Sequence, residues 1–259
     1  MSDAQTSGRG GALGGRTALV TGAASGIGAA IAEAFAAAGA DLCLADRSEG
    51  PGIDDVARSC ADAGAKVVTV RADVSMETDV ARMFEVARDG LGSVEILVNN
   101  AGIVTESSVR DMPTEMWDQM MAIDLRSVFL CCRAAVPSML ENGFGRIINI
   151  ASQVGQRGGA GLAHYAAAKA GVVGFTKSLA RELGGSGVTA NCIAPGPIET
   201  ALGGDLSEEW KSSLKAGLPL GRFGLPDEVA PTAVLLASDP GGNIYTGQTL
   251  GPNSGDVML

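Results

Sequence analysis

A phenol and an ammonium stand four positions apart in the alanine-rich stretch AHYAAAKAG, residues 163–171. Alanine favours helix, and residues four apart on a helix share a face, so we expect Tyr165 and Lys169 to lie side by side. The pKa of a free phenol is near ~10, and a neighbouring ammonium lowers it by stabilising the phenolate. Such a tyrosine can exchange a proton with an alcohol or ketone oxygen. On an arbitrary helix the same spacing is more often a surface pair, so other motifs must support the interpretation.

A serine precedes this pair at the end of an apolar segment. Ser152 closes GRIINIAS (145–152), where its hydroxyl could hold a substrate oxygen. His164 is the only histidine. It is expected on a helix face or at an interface, because neighbours on a helix point about 100° apart. The sequence therefore favours Tyr165 over His164 as the acid/base.

Three glycines follow the first apolar segment in TGAASGIG, residues 21–28. Glycine lets the backbone approach a phosphate, and a helix N-terminus offers free N–H groups and a positive dipole end. Asp46 follows Gly28 at close to the ~20 residues expected for a carboxylate that holds an adenosine ribose. This combination predicts a dinucleotide site instead of a simple glycine-rich turn.

Asp46 and Arg47 bear on which dinucleotide binds. A carboxylate accepts hydrogen bonds from both ribose hydroxyls and repels a 2′-phosphate, which favours NAD. Arg47 could instead face such a phosphate, so NADP stays open as the less favoured cofactor.

Short apolar segments alternate with helical ones. Strands are expected at 17–21, 41–46, 66–73, 94–100, 145–152, 187–195 and 246–250, and helices at 26–38, 51–63, 75–90, 113–141 and 163–184. Because the strands are apolar on both faces, we expect an α/β fold with a single doubly wound (Rossmann) domain at 16–259. Its parallel seven-stranded sheet would carry helices on both faces. Residues 1–15 are expected to be a flexible N-terminal segment, and about 197–217 a lid over the substrate.

Charge and composition exclude several classes of function. The 259-residue chain has a formal net charge of −10, which argues against general affinity for nucleic acid or anionic membranes. No apolar run reaches the ~18 residues of a membrane span, and the first residues contain no apolar signal core. Five cysteines without CxxC spacing and one histidine indicate reduced thiols and no metal site. We therefore expect a cytoplasmic protein.

Taken together, these motifs resemble those of the classical short-chain dehydrogenases/reductases. The resemblance runs from about residue 14 to 255 and rests on TGAASGIG (21–28), DV (73–74), NNAG (99–102), Ser152, YAAAK (165–169), NCIAPGPIET (191–200) and TGQTL (246–250). It implies that Tyr165 is the general acid/base and that Ser152 orients the substrate oxygen. It also implies that Lys169 binds the nicotinamide ribose and tunes Tyr165.

The glycine motif and the resemblance together define an expected cofactor site. Its residues are Gly22, Ser25, Gly26, Ile27, Gly28, Asp46, Arg47, Asp73, Val74, Asn99, Ala101, Gly102, Tyr165, Lys169, Pro195, Gly196, Ile198 and Thr200. The resemblance implies that Asp73 and Val74 flank the adenine and that Ile198 and Thr200 meet the carboxamide end. It also implies a homotetramer or a dimer, formed through the two long helices at 113–141 and 163–184.

One position in the long helix departs from the family pattern. The family usually has an asparagine there, associated with a kink and a water chain from the lysine, where WDQMMAIDLRSVF carries Asp124. An ionised aspartate has the same shape but only accepts hydrogen bonds, and its charge favours protonated Lys169. We therefore expect Asp124 to be a fourth catalytic residue in a retuned relay. The alternative is that the position tolerates either residue.

Three functions follow, in order of preference. The first is an NAD-dependent oxidoreductase that interconverts a small-molecule secondary alcohol and a ketone by hydride transfer. The second is an NADPH-dependent 3-oxoacyl thioester reductase, against which Asp46 argues. The third is a dinucleotide-binding regulatory protein without turnover, ranked last because Ser152, Tyr165 and Lys169 are all present.

Overall fold

Seven parallel strands form the centre of the protein in a computed structural model that describes residues 10–48, 50–200, 212 and 215–258. The strands are β1 (Thr17–Thr21), β2 (Asp41–Asp46), β3 (Val67–Arg71), β4 (Ile96–Asn99), β5 (Gly145–Ile150), β6 (Val188–Ile193) and β7 (Thr249–Leu250). Their order in the sheet is β3-β2-β1-β4-β5-β6-β7. The fold class expected from the sequence, a doubly wound Rossmann domain, is confirmed.

Helices cover both faces of this sheet. They are α1 (Gly26–Ala37), α2 (Pro51–Asp62), α3 (Glu77–Leu91), α4 (Thr114–Met121), α5 (Ser127–Asn142), α6 (Val154–Arg157), α7 (Ala163–Glu182) and α8 (Pro226–Ala237). Successive strand residues point to opposite faces, so Leu19 packs with α3, α5 and α7, whereas Ala18 and Val20 pack with α1, α2 and α8. No helix in the described ranges is long and apolar enough to cross a bilayer.

The strand order fixes where a ligand can bind. The chain builds β1, β2 and β3 outward and then returns to place β4 on the other side of β1. In such sheets the crevice beyond the carboxyl ends of the strands opens at this reversal. Gly22 directly follows β1 and Asn100 directly follows β4, so the glycine turn and the NNAG motif lie at the reversal.

A π-helical turn divides the helix predicted at 113–141. Helix α4 ends at Met121, the π-helical turn spans Ala122–Arg126, and α5 continues from Ser127. Single π-helical turns inside α-helices are frequently found at functional sites. Here the turn contains Asp124, whose side chain is buried.

The structure describes only part of the N-terminal segment predicted at 1–15 and of the lid predicted at about 197–217. Leu13 is buried, and its N–H donates to the Ala38 carbonyl at 2.9 Å, so packing begins before residue 16. Residues 1–9 lie outside the described residues. Of the expected lid at 197–217, residues 201–211 and 213–214 also lie outside them.

Candidate active site

Helix α7 carries Tyr165 and Lys169 on one face. The Lys169 Nζ lies 5.6 Å from the centroid of the Tyr165 ring, as the four-residue spacing predicts. The same Nζ donates to the Ile150 carbonyl at 3.0 Å, at the end of β5. Lys169 is buried and Tyr165 is half-buried, so the ammonium acts on the phenol in surroundings that screen charge weakly.

Ser152 follows β5 at the same edge of the sheet. It is buried, and its Oγ accepts the Val154 N–H at 3.1 Å. Accepting this bond orients the hydroxyl and leaves its hydrogen available for another acceptor. The end of β5 therefore supplies both the serine and the carbonyl that holds Lys169.

Asp124 lies directly against Lys169. Its Oδ2 is 3.1 Å from the Lys169 Nζ, and its Oδ1 accepts the Ile103 N–H at 2.9 Å. Burial lowers the pKa of the Lys169 ammonium, but the Asp124 charge, with Tyr165, more than offsets this, and the net pKa lies above the ordinary value. The carboxylate thus makes a direct ion pair with the lysine.

Close packing around this ion pair requires a glycine. A Cβ placed on Gly102 would lie 2.8 Å from the Asp124 Oδ2 and 3.4 Å from the Lys169 Nζ. Because the first distance is shorter than a carbon normally approaches an oxygen, a larger residue would displace the pair. The glycine of the NNAG motif therefore admits Asp124 and Lys169 to the cleft.

The glycine turn is tied to the strand on the far side of the reversal. Asn100 Nδ2 donates to the carbonyls of Thr21 and Gly22, both at 3.0 Å, and Thr21 Oγ accepts the Asn100 N–H at 3.0 Å. A Cβ on Gly28 would lie 2.1 Å from the Gly22 carbonyl oxygen, so only glycine lets α1 begin this close to β1. Asn100, the second residue of NNAG, is not among the site residues predicted from the sequence.

A cavity of about 160 Å³ opens at this turn. Seven of the expected cofactor residues line it: Gly22, Asp46, Arg47, Asp73, Val74, Ala101 and Gly102. Ser25, Gly26 and Ile27 form the start of α1, which turns its free N–H groups toward the same edge of the sheet. The small residues and the helix N-terminus fit a dinucleotide, because its pyrophosphate needs close backbone approach.

Asp46 is already hydrogen-bonded at the end of β2. Its Oδ2 accepts the Ala24 N–H at 3.2 Å, and its Oδ1 accepts the Ser48 N–H at 2.9 Å. The backbone of the glycine turn and of the loop after β2 therefore shares the carboxylate with any ribose.

An arginine-rich pocket adjoins this end of the cavity. It has a volume of about 430 Å³ and is lined by Arg47, Arg71, Asp73, Asp79 and Arg82. The two carboxylates are engaged, since Asp73 Oδ1 accepts the Ser75 N–H and Asp79 pairs with Arg82 at 3.1 Å. Arg47 lines both this pocket and the cofactor cavity, so a guanidinium group that can bind an anion lies where the two meet.

The other expected cofactor residues lie in the sheet below the cleft and on the segment that follows β6. Asn99 is buried in the sheet, where its Nδ2 donates to Asn149 Oδ1 at 2.8 Å, so it supports the cleft from below. Thr200 lies over the glycine turn, since a Cβ on Gly26 would be 3.4 Å from its Cγ2. Pro195, Gly196 and Ile198 lie on the segment after β6. The Pro195 carbonyl accepts the Gln153 N–H, the Gly196 N–H donates to the Pro252 carbonyl, and Ile198 forms an isolated β-bridge with Gly224.

The C-terminal tail contacts the segment that follows Ser152. Gln153 Nε2 donates to Asp256 Oδ2 at 2.6 Å, and the Arg157 guanidinium lies 2.9 Å from the same oxygen. Asp256 is distant in sequence, and only the fold brings it there. His164 is buried, and its Nε2 lies 2.7 Å from Thr105 Oγ.

Known proteins resemble this chain over nearly its whole length. The family model described as Enoyl-(Acyl carrier protein) reductase matches residues 22–255. The chain is 40% identical over 248 residues to a 3-oxoacyl-[acyl-carrier-protein] reductase of Synechocystis, covering 96% of this chain and 99% of that protein. It is 42% identical over 246 residues to 3-oxoacyl-[acyl-carrier-protein] reductase FabG of Escherichia coli, covering 95% and 98%.

A solved structure gives the same result. A short-chain type dehydrogenase/reductase from Mycobacterium marinum superposes with a TM-score of 0.90 at 34% identity, covering 95% of this chain and 97% of that one. The chain therefore belongs to the short-chain dehydrogenase/reductase family. It is an oxidoreductase of that family.

The expected preference for NAD is wrong. The relatives carry the name of the 3-oxoacyl reductases, the NADPH-dependent alternative in the sequence analysis, and point to NADP. The preference for NAD follows only if Asp46 is a lone carboxylate facing the ribose. In the structure, backbone N–H groups engage its oxygens, and the arginine-rich pocket adjoins it. The charge that a 2′-phosphate would meet is therefore set by more groups than Asp46.

Proposed function

We propose that this chain reduces the 3-keto group of a 3-oxoacyl thioester with NADPH. The observation that carries the proposal is the agreement of full-length relatives at 40–42% identity, which share the name 3-oxoacyl-[acyl-carrier-protein] reductase. The reaction is the carbonyl reduction for which Ser152, Tyr165 and Lys169 are suited. A regulatory role without turnover is less consistent with the presence of all three of these side chains.

The arginine-rich pocket supports NADPH over NADH in this proposal. Arg47 lines both the cofactor cavity and that pocket. Among the described residues, no hydrogen bond or ion pair engages its guanidinium, so its N–H groups can donate to a phosphate. Arginine binds phosphate with paired, charge-assisted hydrogen bonds.

In the proposed reaction the cofactor supplies a hydride, and side chains of this protein supply the proton and the hydrogen bonds. When bound, the nicotinamide supplies the hydride to the keto carbon. The Tyr165 hydroxyl donates its proton to the oxygen that becomes the alcohol, and Ser152 donates a hydrogen bond to the same oxygen. Lys169, fixed by the Ile150 carbonyl, stabilises the tyrosine oxygen after the proton has left. In the opposite direction Tyr165 accepts the proton.

A substrate panel tests the reaction. Oxidation of NADPH is followed at 340 nm with an acetoacetyl thioester, a crotonyl thioester and a simple ketone. We expect kcat/KM for the acetoacetyl thioester to exceed that for either of the others by at least ~10-fold, because only it offers a ketone beside a thioester. Turnover of the simple ketone without turnover of the thioester would contradict the proposed substrate class.

A pair of arginine variants tests the cofactor. Arg47→Ala should weaken NADPH binding by roughly tenfold and leave NADH binding unchanged, since one charge-assisted contact to the extra phosphate is lost. The measurement is cofactor fluorescence titration. Arg58→Ala is the matched control, because Arg58 is an exposed arginine that pairs with Asp55 on α2. Equal loss for NADH and NADPH would remove Arg47 from phosphate recognition.

A further inference from the structure

The carboxylate of Asp124 is held in place from two sides. The π-helical turn at Ala122–Arg126 supplies it, and the Ile103 N–H fixes its Oδ1 at 2.9 Å. Its Oδ2 is left 3.1 Å from the Lys169 Nζ, with both side chains almost fully buried, at 0% and 6% exposure. A buried ion pair of this kind forms a fixed charge arrangement, because neither partner can turn toward solvent.

This pairing changes what Tyr165 experiences. A lone ammonium near a phenol stabilises the phenolate, and a carboxylate beside that ammonium cancels much of the effect. The Lys169 Nζ, which is 3.1 Å from the Asp124 Oδ2, lies 5.6 Å from the Tyr165 ring centroid, so the lysine stands between the carboxylate and the tyrosine. While Lys169 stays protonated, a neutral side chain at position 124 would leave its ammonium, still held by the Ile150 carbonyl, without a compensating charge.

We propose that Asp124 is a positioning residue that keeps Tyr165 in its protonated, proton-donating form to higher pH and thereby adapts the site to reduction. The inference rests on the acid/base role of Tyr165 proposed above. A ketone reductase must begin each turnover with a protonated tyrosine, whereas alcohol oxidation needs the tyrosinate. The carboxylate favours the first form.

The remaining titratable groups near the pair do not substitute for Asp124. Cys192 on β6 interacts electrostatically with Lys169, and burial raises the pKa of its thiol to about 11, so it is neutral at physiological pH. His164, the helix neighbour of Tyr165, is bonded to Thr105. Among the described residues, Asp124 is the carboxylate in contact with Lys169.

The titration of Tyr165 tests the proposal without substrate or cofactor. The chain has two tyrosines, so protein labelled with ¹³C at tyrosine Cζ gives two resonances, and Tyr165→Phe removes one of them. Asp124→Asn should move the ionisation midpoint of Tyr165 to lower pH by roughly one unit and leave Tyr245 unchanged. Asparagine keeps an oxygen that can accept the Ile103 N–H, so we expect this variant to fold.

Two controls separate charge from structure. Asp118→Asn removes an exposed carboxylate of α4 and should leave the Tyr165 midpoint unchanged. Asp124→Ser is a second neutral variant, for use if Asp124→Asn does not fold, and should shift the midpoint in the same direction. The alkaline limb of the reduction pH–rate profile should move by the same amount. A Tyr165 midpoint that stays fixed or rises in either neutral variant would overturn the proposal, and loss of thioester turnover alone would count only against the proposed substrate.

Discussion

Ser152 illustrates how a single hydroxyl is prepared for one task. Its Oγ accepts the Val154 N–H at 3.1 Å, which leaves the hydroxyl hydrogen for a substrate oxygen. The residue is buried at the end of β5, so a hydrogen bond from it acts where water competes weakly. A fixed donor of this kind stabilises the oxygen that gains negative charge during reduction.

Ser152→Ala should lower kcat by roughly 10²–10³, since one preorganised donor is lost at the oxygen that becomes charged. Steady-state turnover with NADPH and the acetoacetyl thioester measures the effect. NADPH affinity should stay within about twofold of the wild type, because the serine is not required for the cofactor. A kcat close to that of the wild type would exclude the serine from the reaction.

The sequence predicts these residues better than it predicts their partners. Tyr165 and Lys169 are placed by helical spacing, which is a local property of the chain. Asp124 is identified only as a departure from the family pattern, and its contact with Lys169 depends on the π-helical turn. The Asp256 contacts with Gln153 and Arg157 could not be predicted, because they join segments far apart in sequence.

At the scale of elements, polar side chains tie the strands under the cleft to α7. Asn99 on β4 donates to Asn149 on β5, and Asn149 Nδ2 donates to Thr176 Oγ on α7 at 2.8 Å. All three are buried, so each bond satisfies a group that would otherwise be costly to bury. The strands themselves are predictable from their apolar runs. This series of side-chain hydrogen bonds cannot be predicted from the sequence, because it depends on the register of β4 against β5.

An ion pair at the start of α8 should make the stability of the fold depend on pH. Glu228 Oε2 accepts the Leu225 N–H at 2.9 Å, and both carboxylate oxygens accept hydrogen bonds from Arg222. The hydrogen bonds from Arg222, followed by that from Leu225, lower the pKa of Glu228 from 4.5 to about 2. Because the folded pKa is depressed, the stabilisation is complete above pH 4.5 and is lost as the pH falls through about 2.

Glu228→Gln should therefore lower the thermal midpoint at pH 7, and its difference from the wild type should shrink as the pH approaches about 2. Thermal unfolding followed by circular dichroism across this range measures it. Asp227→Asn, a carboxylate in the same helical turn, is the control. A difference that is independent of pH would show that the Glu228 charge does not stabilise α8.

In the whole molecule, the order of the strands in the sheet also determines where the site lies. The reversal between β1 and β4 opens the cleft, and the end of β5 supplies Ser152 and the carbonyl that holds Lys169.

All five cysteines are free and buried, and burial raises the pKa of Cys43 to about 12. Association through the long helices stays a prediction, with Trp117, Phe129 and Leu140 as exposed apolar side chains on α4 and α5.

The acid/base role of Tyr165 is tested by comparing the wild type with Tyr165→Phe. NADPH oxidation is followed at 340 nm with the acetoacetyl thioester, and NADPH binding is measured by fluorescence on the same samples. We predict that removing the phenolic proton lowers kcat by roughly 10²–10⁴ and leaves NADPH affinity largely intact. Wild-type-like turnover by Tyr165→Phe would contradict the proposed reaction at its centre.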